Sequence, residues 1–187
     1  GTLIYLWLRW RQPRPLAGLP LRRLIPSGLL LIGGGSGLTV WSQQRVPSSI
    51  AALLISSVPL LVLLLNWAWF ARRAPDPRPL SGALIGLCGV ALVVDHLPAL
   101  SGNVGPLHVV ALLSAMLCWS FGTLVASGAV PATRVGAATC VQMLTGGTAL
   151  ALMATLSGDW QAFHPAQVSL ASWLALAYLT VFSSIVA

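Results

Sequence analysis

Few side chains in this 187-residue chain can do acid–base work: three acids and three histidines. His96, His108 and His164 lie far apart, and Asp95 beside His96 is only an adjacent pair in a connecting stretch. No pairing for proton transfer or metal binding emerges at these spacings. Cys88, Cys118 and Cys140 lack metal-type spacing and read as small buried apolar residues. "GGSG" at 34–37 superficially resembles the nucleophile turn of an intramembrane serine protease, yet no histidine within a span partners its serine. The chain is read as non-enzymatic, without cofactor or metal.

What remains is recognition rather than reaction. In "SSIAALLISSVPLLVLLLNWAWF" (48–70), Ser49, Ala52, Ser56, Pro59, Leu63 and Asn66 fall within an arc of about 100° on a helix. That arc is mostly small or polar, and lipid has no use for it, so it faces protein or a cavity. Pro59 lacks an amide hydrogen and crowds the carbonyl of Ile55, which predicts a kink. Ser56 and Ser57 can bond back to carbonyls one turn earlier. Such a helix either packs around its kink or lines a solute path.

In 107–127, Ala111, Ser114, Ala115, Cys118 and Gly122 form a small-residue ridge for close helix contact. Roughly opposite lie Met116, Trp119, Ser120, Thr123 and Ser127. An aromatic, hydroxyls and a thioether suit an amphipathic solute, although Trp119 could simply fill a bundle interior. Gly33 and Gly37 form a GxxxG pair around Gly34, Gly35 and Ser36, suited to close packing or to a flexible gating helix.

These residues need elements that can hold them in lipid. The chain is 57% hydrophobic and only 7% charged, against about a quarter charged in soluble domains. It lacks the polar surface of a water-soluble globule. Runs at 24–41, 49–70, 107–127 and 135–157 are long enough to cross ~30 Å of hydrocarbon at ~1.5 Å per residue. A shorter run at 80–97 and a last one at 171–187 complete six. The runs are apolar on both parities, which favours helices over barrel strands. Residues 1–8 cover only ~12 Å of helix before Arg9, and Gly1 is not a start methionine. The chain is expected to be an internal fragment, cut within one span and at or inside another.

The net charge of +7 comes from ten arginines and no lysine. Arg9, Arg11, Arg14, Arg22, Arg23, Arg72, Arg73, Arg78 and Arg134 fall in alternate loops, and only Arg45 lies in the other set. That split expresses topology rather than nucleic-acid binding, and predicts that loops 9–23, 71–79 and 128–134 are cytoplasmic. No acid, Arg or His lies deep in a span, so proton coupling through a membrane carboxylate has no support. A faint echo between "SGLLLIGGGSGL" (from Ser27) and "SWLALAYLTVFS" (from Ser172), five spans apart, is the form an inverted repeat would take.

"VPSSIAALLISSVPLLVLLLNWAW", "LSGALIGLCGVALVV" and "GPLHVVALLSAMLCWSFGTLVAS" together resemble the EamA family of the drug/metabolite transporter superfamily. The resemblance implies an all-α polytopic membrane protein, part of a ten-helix bundle of two inverted five-helix repeats. Residues 1–97 would be the C-terminal part of the first repeat, from the end of its second helix to its fifth. Residues 106–187 would be the start of the second, from the sixth helix into the eighth. It also implies an inner-membrane permease moving small metabolites or drug-like solutes by alternating access, in the direction of export. Its partners would be the lipid bilayer and a small-molecule substrate. The alternative is a non-transporting polytopic subunit with an assembly or sensory role. Pathway candidates are Ser36, Ser56, Pro59, Met116, Trp119, Thr123 and Tyr178; packing candidates are Gly33, Gly37, Ser114, Cys118 and Gly122. Many relatives carry a Gly-Glu-Arg-like turn after the fourth helix, where this chain has "FARRAPDPRPLSG" without a Glu.

Overall fold

The structure, a computed structural model, describes residues 18–71, 77–95, 106–159, 165 and 168–180. All of its described regular secondary structure is helical. Four helices are long and apolar enough to cross a membrane: α1 (Leu21–Ser42), α2 (Ser48–Trp69), and two later ones at Pro106–Ala126 and Ala132–Ser157. Between them runs α3 (Pro77–Asp95). The later spans are α4 (Pro106–Ala126) and α5 (Val135–Ser157), the latter preceded by a short 3-10 turn, and α6 (Leu170–Tyr178) follows. The expected half-span at 1–8, loop residues 9–17 and 72–76, His96 and His164 lie outside the described residues, as does the sixth span beyond residue 180.

Local chemistry explains the ends. Pro47, at φ −55° and ψ 142°, holds the chain extended before α2. Gly128 and Gly158 have φ of +66° and +76°, left-handed values that suit glycine just past α4 and α5. Ser169 caps α6, its hydroxyl accepting from the amide of Ser172 at 3.2 Å.

Two helices are irregular inside. α2 is interrupted at Ser57, two residues before the proline, and resumes as Val58–Leu65. Pro59 thus becomes the second residue of a new helical segment, where a missing N–H leaves no bond broken. The hydroxyls of Ser56 and Ser57 donate to the carbonyls of Leu53 and Leu54, as the sequence anticipates. α1 winds as a π-helix from Leu29 to Ser36, the stretch that holds Gly33, Gly34 and Gly35.

α1 is the centre of the assembly. Its start and its π segment pack on both α4 and α5, and its end packs on α4. The second half of α2 packs on α4 and the first half on α3. The fully buried side chains Leu24, Leu112, Val46, Cys140, Ser27, Ser42 and Ser120 mark this interior. Cys140 is buried and Cys118 half-buried, but Cys88 is exposed on α3, contrary to the expectation that all three are interior.

Candidate functional site

At the α1–α5 crossing backbone meets backbone. A Cβ on Gly28 would sit 2.3 Å from Thr145 Oγ1 and 2.7 Å from the backbone of Gln142; one on Gly146 would sit 2.6 Å from the carbonyl oxygen of Gly28. Only glycine permits that approach. Beside it, Gln142 Nε2 donates to Ser27 Oγ at 2.8 Å, while Ser27 Oγ donates to the Leu24 carbonyl at 2.9 Å. In lipid such a pair has no water to fall back on, so each partner satisfies the other. This polar bond was missed at the sequence level, although Gln142 is the sole amide side chain in the 135–157 run.

The packing candidates distribute around α1. A Cβ on Gly37 would meet Leu150 at 2.8 Å, whereas one on Gly33 would make ordinary contact with Ala149 at 3.8 Å. Cys118 lies against Gly34, and Gly122 against Leu30 and Leu31. The Ser114 hydroxyl donates to the carbonyl of Val110 at 2.9 Å within its own helix.

The pathway candidates do not form one cluster. Met116 is buried, 3% exposed, in the bundle interior. The Trp119 indole lies over Gly35, where a Cβ would come within 2.3 Å of its ring. Ser36 donates to the carbonyl of Leu31 at 3.4 Å, five residues back, as π geometry allows. Ser56 is half-buried in α2, and Tyr178 is exposed on α6.

Two candidates do meet. Pro59 and Thr123 line one open groove of about 550 Å³, together with Val58, Val62, Leu63, Pro79, Gly82 and Ala83. The break at Ser57 delivers Pro59 to this wall. Thr123, exposed on α4, donates its hydroxyl to the Trp119 carbonyl at 2.8 Å. It therefore presents only acceptor lone pairs to a solute. Among the described residues no charged side chain lines the groove. The α3 wall was not anticipated, because no periodicity in the 80–97 run shows which of its faces α2 covers. Among the described residues no group of three His, Cys, Asp or Glu side chains is placed to hold a metal. A volume of this order lies within the ~300–1,000 Å³ of small-molecule sites.

At the far end of α1, Trp41 stacks on His108 with ring centroids 4.4 Å apart and planes 8° from parallel. At the opposite end of the bundle Trp69 stacks on Phe121 at 5.6 Å. Both pairs fasten α4 to its neighbours, and exposed Trp67 and Trp69 have the amphipathic character of residues that sit at headgroup level.

Comparison with known proteins agrees with this architecture. The model of the EamA-like transporter family matches residues 1–95. The chain is 33% identical over 189 residues to the "Uncharacterized inner membrane transporter YedA" of Escherichia coli strain K12, covering 99% of this chain and 57% of that protein. The same figures hold for the proteins of that name in Escherichia coli O6:H1 and O157:H7. The chain thus spans 57% of the length of these relatives. No solved structure matches it. With a family match over half of its length and helices built for a bilayer, the chain belongs to the EamA-like transporter family, as a multi-pass protein of the inner membrane.

Proposed function

We propose that the protein is a permease that moves small metabolites or drug-like solutes across the inner membrane by alternating access, in the direction of export, with no covalent chemistry. One observation carries the reading: Pro59 and Thr123, from two different spans, share a groove whose described lining carries no charge, beside a helix broken in mid-span. A broken span is a place where backbone can bend at low cost, and a groove at the break couples bending to a bound solute. The family match and the names of the relatives support transport as the class of activity. We further propose that 1–97 and 106–187 belong to two successive repeats, that loops 9–23, 71–79 and 128–134 face the cytoplasm, and that Ser36, Ser56, Met116, Trp119 and Tyr178 serve the pathway in other states of the cycle. The arginine split supports the orientation.

The test is flux. The full-length protein is reconstituted in liposomes and counterflow is measured with a panel of labelled neutral, cationic and anionic solutes. At least one solute should move, and Thr123→Val and Pro59→Leu should slow it while the protein stays folded. Flux that ignores both changes would remove the groove from the pathway. No flux with any solute would favour the non-transporting subunit.

A further inference from the structure

The lining of the groove sorts solutes by their hydrogen bonding, on the reading that the groove belongs to the transport pathway. Its described walls hold no side-chain donor free to offer. Val58, Val62, Leu63 and Ala83 are hydrocarbon, Gly82 has no side chain, and Pro59 and Pro79 lack even a backbone N–H. Thr123 has the one polar side chain among them. Its proton is held by the Trp119 carbonyl at 2.8 Å, one helical turn back. Its oxygen keeps its lone pairs, and among the described residues nothing donates to them. The described lining is thus an apolar wall with a single side-chain acceptor.

That asymmetry decides between solute classes. An ion of either sign would leave water for a lining with no counter-charge among the described residues. A carboxylate would also face the lone pairs of Thr123. A ketone, ether or ester brings only acceptors, and Thr123 must break its bond to Trp119 before it can meet one. A sugar-like solute brings many donors to one acceptor, so most of them stay unpaired. What this lining completes is a neutral molecule with an apolar body and one donor, and a groove of about 550 Å³ has room for it. We propose that the groove selects phenols and apolar alcohols, with the ring or chain lying between α2 and α3 and the hydroxyl donating to Thr123 Oγ1 on α4.

Gly82 supplies the control, because a Cβ placed there meets nothing within 4 Å. A larger side chain at that position grows into the groove. Full-length protein in nanodiscs is titrated with tritiated 2-naphthol, and binding to empty nanodiscs is subtracted. The probe is competed at neutral pH with 2-methoxynaphthalene, 2-naphthoate and 2-naphthylmethylammonium, each corrected for its partition into lipid. Unlabelled 2-naphthol should compete about three- to tenfold better than its methyl ether, which is the value of one hydrogen bond. Both ions should compete about tenfold less well than 2-naphthol, or worse. Thr123→Val should bring 2-naphthol down to the level of the ether and leave the ether unchanged, whereas Thr123→Ser should keep the preference. Gly82→Leu should abolish specific binding; should that variant not fold, Ala83→Leu makes the same measurement. Equal competition by the ether would overturn the proposal, as would a preference that survives Thr123→Val or binding that survives the filled groove. So would the absence of any specific binding, since lipid or protein would then occupy the slot. A protein that binds 2-naphthol as expected but moves no solute retains this inference and sinks the transport reading; flux without preference for the hydroxyl does the reverse.

Discussion

Gly146 and Gly147 are adjacent on α5, yet an added methyl meets opposite fates. At Gly146 it would lie 2.4 Å from Ile32 Cβ and 2.6 Å from the carbonyl oxygen of Gly28. At Gly147 it meets nothing within 4 Å. Either Gly→Ala change gains up to ~1 kcal/mol of helix propensity, so that gain cancels when the two variants are compared. What survives is the clash. One of the atoms met is backbone, so α1 must retreat as a unit, which costs about 1–3 kcal/mol. The retreat also stretches the Gln142–Ser27 bond of 2.8 Å, worth on average ~0.6 kcal/mol between membrane helices. The difference between Gly146→Ala and Gly147→Ala should therefore be roughly 1.5–3.5 kcal/mol, or several degrees in melting temperature. The assay is thermal unfolding in detergent with a thiol-reactive dye, in a Cys88→Ser background that leaves half-buried Cys118 and buried Cys140 as reporters. Coincident melts for the two variants would refute the claim that α1 and α5 touch backbone to backbone at this point.

Other expectations follow from neighbouring contacts. Gln142→Leu and Ser27→Ala should each cost about 0.6–1.7 kcal/mol, and a double-mutant cycle should return coupling of that size; zero coupling would remove the bond from the account. Pro59→Ala restores an N–H that can reach the Ile55 carbonyl, so amide exchange across residues 57–60 should slow; unchanged exchange would mean that something other than the proline holds α2 open. Trp41→Ala should cost about 0.5–1.5 kcal/mol through loss of the His108 stack, and adding His108→Ala should cost little more. Two fully additive losses would show that the rings stabilise the bundle independently.

The bilayer made the spans legible, because its thickness sets their length and excludes polar interruptions. The run at 135–157 has the same limits as α5, since Pro131 and Gly158 bracket it and no polar turn competes. The apolar run at 24–41 falls short of α1, which extends to Leu21 and Ser42, because the charges of Arg22 and Arg23 look like loop in sequence although an exposed first turn tolerates them. In α2 the proline marked the irregular region, but a proline's effect falls on the turn before it, so the break lies at Ser57. What stayed hidden is pairing. Gly28 and Gly146 look alike to many other glycines in this chain, and only their position on facing helices makes them a crossing. Ser27 and Gln142 stand 115 residues apart, and no periodicity within either helix reports a partner on the other. The meeting of Pro59 with Thr123 was likewise invisible, because it depends on how α2 leans after its break.

The π winding of α1 has a consequence for comparing this chain with its kin. A π turn takes ~4.4 residues where an α turn takes ~3.6, so Leu29–Ser36 accommodates about one more residue than an α-helix of equal length would. Relatives that wind this helix regularly should then align to this chain with a single-residue gap near Gly33–Gly35, and removing one of those glycines here should leave Thr39, Trp41 and Ser42 pointing as they do now. A wheel drawn at 100° per residue through the whole of α1 is out of phase beyond that point, which assigns the wrong side of the helix to every residue after Ser36.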